Sequence, residues 1–78
     1  MDEIINEYGQ TKIEEINAEP LMLPEYKAKT IEIINNVMDA YTDGYITANE
    51  AMRKIANAEQ SAAKILNGKN RRRKNGNF

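Results

Sequence analysis

Two groups of residues in this 78-residue chain carry side chains whose type and spacing could do chemistry. The first is Asp39, Asp43 and Glu50, carboxylates four and then seven residues apart around Gly44, which supply the hard oxygen donors that hold a divalent cation such as calcium. The second is Lys69 with the run Arg71, Arg72, Arg73 and Lys74, a dense set of cations of the kind that neutralises phosphates along a nucleic acid. Histidine and cysteine are absent, and the only serine is Ser61. Neither a nucleophile–base pair nor a transition-metal site can be assembled from such a supply, and disulfides are excluded. With no glycine-rich phosphate loop either, the expectation is a protein that is not an enzyme, with no catalytic residues, no cofactor and no metal.

The segment from Asp39 to Glu50 resembles the twelve-residue calcium loop of EF-hand proteins and the dockerin loop built on the same pattern. Counted from Asp39 as position 1, Asp43 falls at 5, Gly44 at the sharp-turn position 6, Tyr45 at the carbonyl position 7, Ile46 at the apolar position 8, Thr47 at 9 and Glu50 at 12. The resemblance covers 12 residues and implies a single helix-loop-helix calcium module with Asp39, Asp43, Tyr45 and Glu50 as ligands. It departs from the family at Tyr41, where position 3 normally supplies another oxygen, and no second loop is present to pair with it. The same letters have a reading without metal. Gly44 takes a left-handed conformation that stops one helix, Thr47 and Glu50 form a Thr-x-x-Glu capping box that starts the next, and Ile46 staples that start. We take the cap as the expectation and the calcium module as an alternative.

The elements around this turn read as all-α. Ile5, Tyr8, Ile13 and Ile16 share one side of a helical wheel over residues 2–17, although Gly9 and a second Thr-x-x-Glu at Thr11 and Glu14 leave room for a kinked or two-piece helix. Pro20 and Pro24 bracket a connection containing Leu21, Met22 and Leu23, which are expected to cover an end of the core, with an interface as the alternative. Pro24 suits the first turn of a helix that runs to Thr42 with two apolar stripes, Ile31, Ile34, Met38 and Tyr41 beside Tyr26, Ile33, Val37 and Ala40. That face is wider than one neighbour covers, so this helix is expected to be central. A third helix from Ala48 to about Asn67 has Met52, Ile55, Ala58 or Ala62, and Leu66 on its inner side and Gly68 as its stop. The expected fold is a helical hairpin of about residues 25–42 and 48–67, with an N-terminal helix packed across it, in a single domain of residues 1–67. A disordered basic tail, 68–78, follows.

The overall charge of −1 hides a separation: residues 1–63 hold all 12 acidic side chains against five basic ones, net −7, and residues 64–78 hold six basic side chains, net +6. No apolar run approaches the roughly 18 residues of a membrane span, so the expectation is a soluble cytoplasmic protein with no membrane partner. Ten Asn and ten Ile match an AT-rich coding source, such as low-GC bacteria and their mobile elements. Small acidic helical regulators of phages and mobile elements share this size and charge. The expected function is therefore a non-enzymatic interaction or regulatory protein acting through its acidic helical surface on a protein partner. The alternative is a nucleic-acid-associated protein using Lys69, Arg71, Arg72, Arg73 and Lys74, with Arg53, Lys54 and Lys64 in support. A thin core also favours a homodimer, with Leu21, Met22, Leu23, Tyr26, Ile33, Val37 and Tyr41 as interface candidates.

Overall fold

Pro24 lacks a backbone N–H and so sits without loss in the first turn of the helix it opens. That helix ends where Gly44, at φ +84°, turns the chain. The Tyr45 N–H donates to the Ala40 carbonyl at 2.9 Å and the Gly44 N–H to the Tyr41 carbonyl at 3.1 Å, the paired bonds of a Schellman stop. Three residues later the capping box is in place: the Thr47 hydroxyl accepts from the Glu50 N–H at 3.1 Å, and the Glu50 carboxylate accepts from the Thr47 N–H at 3.1 Å. These local bonds make the expected hairpin.

The computed structural model describes the backbone of residues 2–75 and the side chains of residues 3–68. Its helices are α1 (Asp2–Asn17), α2 (Pro24–Thr42), α3 (Ala48–Ala56) and α4 (Ala58–Asn75), and the described residues contain no strand. Helix α2 packs against all three others and is central, as its double stripe implies. Gly9 of α1 lies against Met38, and the Lys27 ammonium donates to the Asn17 carbonyl at 3.3 Å, so α1 runs antiparallel to α2. Helix α4 is antiparallel to α2 as well, its Asn67 side chain accepting from the Tyr26 hydroxyl at 3.4 Å.

The core is built from Ile5 and Ile16 of α1, Ile34, Val37 and Met38 of α2, Ala51 and Ile55 of α3, and Ala58, Ala62 and Leu66 of α4. Thr30 is the one buried polar side chain among the described residues, and its hydroxyl donates to the Tyr26 carbonyl at 2.7 Å. That bond satisfies a group that would otherwise be desolvated without a partner.

Four details differ from the sequence reading. The helix expected over 48–67 is divided at Asn57, whose backbone (φ −100°, ψ 10°) leaves the helical region, a conformation asparagine tolerates because its side chain competes for nearby backbone groups. Gly68 is no stop: α4 continues through it to Asn75, and Gly44 is the only described glycine with positive φ. The side chains of the tail from residue 69 on lie outside the described residues. Ala51, fully buried, takes the inward place expected for Met52, which stays 41% exposed, because a small side chain lets α3 approach closely. Gly9, which counted against helix, is buried inside a continuous α1, and a Cβ there would collide with the Met38 sulfur. The glycine is a point of close contact between helices.

Candidate functional site

The carboxylates around Gly44 are placed by the two helix ends. Asp39 lies in the last turn of α2, its carbonyl accepting from the Asp43 N–H at 2.9 Å, and Asp43 caps that turn. Both side chains are exposed, and Tyr45 is 81% exposed. Tyr41, at the position where a calcium loop needs an oxygen, packs against the core. Glu50 turns toward Thr47, with one carboxylate oxygen 3.1 Å from the backbone nitrogen and 3.2 Å from the hydroxyl. The Thr47 N–H holds the Glu50 carboxyl below the usual carboxylate range, helped by the Thr47 hydroxyl and by the charges of Lys54 and Arg53 and opposed by partial desolvation. The first four positions of the resembled loop are thus helical, and the last carboxylate is engaged in the cap. Among the described residues no three His, Cys, Asp or Glu side chains converge as a metal site, and Asp39, Asp43, Tyr45 and Glu50 are not brought together as one.

Surface groups are more informative. On α1, Glu3, Glu7 and Glu14 fall within about 40° of one another on a helical wheel, opposite Ile5, Gly9 and Ile16. All three are exposed, and none takes part in an ion pair, the pairs among the described residues being Lys12 with Glu15 at 3.9 Å and Lys29 with Glu32 at 3.1 Å. Beside this face, Glu15, Glu19 and Glu59 line a polar hollow of about 210 Å³ together with Lys12 and Ile16. The acidic balance of the body is therefore a property of its α1 side.

The interface candidates divide. Val37 is buried, Met22 packs half-buried onto the core, and Tyr26, Ile33 and Tyr41 are half-buried, whereas Leu21 is 89% and Leu23 62% exposed. The apolar stretch covers the core only through Met22. At the other end of α2, Ile33, Asn36, Val37 and Ala40 join Ile46 and Lys54 from beyond the turn in an open groove of about 260 Å³. Ile33 and Val37 were legible as interface residues; Ile46 and Lys54 join them only because the hairpin folds α3 back along α2. The cations Lys69, Arg71, Arg72, Arg73 and Lys74 lie on the continuation of α4, and their side chains are outside the described residues.

Comparison with protein-family models, curated proteins and solved structures finds no match. Among the described residues no helix is long and apolar enough to cross a membrane.

Proposed function

We propose that this is a small non-enzymatic interaction protein, cytoplasmic and regulatory in character, that docks its acidic α1 face onto a cationic protein partner. The observation behind the reading is the line of Glu3, Glu7 and Glu14, exposed and without ion pairs among the described residues, on the side of α1 that the core does not use. Like charges gathered on one face raise the local potential, steer a basic partner into the right orientation and speed association. A small acidic helical body suits a basic groove on another protein, including one made for nucleic acid, and regulators of phages and mobile elements share this size and charge.

The test is capture from the source cell by the full chain and by a Glu3→Lys, Glu7→Lys, Glu14→Lys variant, at low and high salt. A protein retained by the parent at low salt and lost with the variant supports the proposal. Equal retention of the same proteins by both would remove it.

A second reading rests on the charge separation, net +6 over residues 64–78 against −7 before it. In it the tail binds nucleic acid and the body is carried along. Generic DNA would then bind with a log–log salt slope of up to about −4.5 for five phosphate contacts, and single-stranded RNA up to about −3.5, and removal of residues 69–78 would abolish binding. Failure to bind either polymer at low salt overturns this second reading.

A further inference from the structure

We infer that the exposed leucines at the start of α2 dock into the apolar groove near the end of α2 on a second copy of the chain, and that the exchange is mutual. Leu21 and Leu23 are a preformed knob. Pro20 and Pro24 bracket them, Met22 between them is anchored on the core, the Glu19 carboxylate accepts from the Leu21 N–H at 3.4 Å, and the Leu23 carbonyl accepts from the Lys27 N–H at 2.9 Å. Little conformational freedom remains to be lost when a partner covers them. The groove of Ile33, Val37, Ala40 and Ile46 is open and, at about 260 Å³, falls below the roughly 300–1,000 Å³ of small-molecule sites. It suits one or two aliphatic side chains.

Charge matches shape. Glu19 and exposed Glu25 flank the knob, and Lys54, which makes no ion pair among the described residues, lines the groove. The knob cannot fill its own groove, because Leu23 and Val37 stand at positions about 21 Å apart along one helix. A two-fold axis crossing α2 about midway between them makes the two α2 helices antiparallel and carries each knob to the other copy's groove. Such an interface is self-complementary and closes at two chains.

Because the chain has no cysteine, the pairing can be trapped directly. Leu23→Cys and Ala40→Cys lie about 25 Å apart within one chain, well beyond the roughly 7 Å Cα separation a disulfide spans, so any bond between them joins two copies. Mild oxidation of the mixed single variants should give a covalent dimer linked 23 to 40. Sedimentation should show the parent dimerising with concentration, and Leu21→Asp with Leu23→Asp should be monomeric with unchanged helix content. Lys54→Glu and Glu25→Lys should each weaken the dimer by about 2- to 30-fold, the range for two exposed ion pairs, and the double variant should recover. A parent that stays monomeric at millimolar concentration overturns the inference. So does oxidation that joins 23 to 23 or 40 to 40 as readily as 23 to 40.

Discussion

The two corners that flank α2 are built in opposite ways. At the α2–α3 corner, Gly44 supplies the positive φ, the Tyr45 and Gly44 N–H groups bond back to Ala40 and Tyr41, and Thr47 and Glu50 exchange bonds at the next helix start. At the α1–α2 corner, Leu23 stands at the cap position of α2 with no side-chain cap, two prolines shape the path, and Leu21 and Leu23 remain exposed. The first corner satisfies its own backbone and specifies the fold. The second leaves the apolar surface of Leu21 and Leu23 uncovered.

The sharpest way to break the contrast is from behind the well-made corner. Ile55, fully buried where α3 meets α2, should lose about 2–5 kcal/mol of stability on substitution by alanine, read from urea unfolding. Gly9→Ala should cost about 0–2 kcal/mol net, because displacing the flexible Met38 side chain costs about 1–3 kcal/mol and the gain in helix propensity returns about 1 kcal/mol. Gly44→Ala and Thr47→Ala should each cost about 1 kcal/mol, one through positive φ and the other through the lost cap. Smallest is the change at the other corner: Leu21→Ser with Leu23→Ser should move monomer stability by no more than about 0.5 kcal/mol per site while weakening self-association.

Acid sharpens the comparison further. The Glu50 carboxyl is held below its ordinary value, so the folded chain binds that proton less readily than the unfolded chain. Its contribution is fully present above the unfolded value and is lost as pH falls through the folded one. The difference in melting temperature between the parent and Glu50→Gln should therefore be small at neutral pH and vanish in acid. Calcium should leave both melting curves unmoved.

Much of this architecture was legible because it is written locally. Pro24, Gly44, Thr47 and Glu50 act within one turn of their own positions, and the stripes on α1 and α2 need only helical periodicity. What was not legible depends on a distant neighbour. The sequence gives no hint that Gly9 meets Met38 until α1 is laid antiparallel to α2. The exchange of Ala51 for Met52 on the inner face follows from how closely α3 approaches α2, and the break at Asn57 is hidden by an apolar spacing from Ala51 to Leu66 that reads as one helix. Gly68 looked like Gly44 by type, but no bonded turn surrounds it. For the site, the leucine knob could be read as an interface candidate, while the groove could not, because it is assembled across the hairpin.

The most direct test of the contrast between the corners is an amide-shift series of the full chain recorded from low to high concentration. The account expects Leu21, Met22 and Leu23 to move together with Ile33, Val37, Ala40, Ile46 and Lys54, with one midpoint for all of them, and with Gly44 and Thr47 standing still. Shifts confined to Asp39–Glu50, or spectra that do not change with concentration, would contradict it.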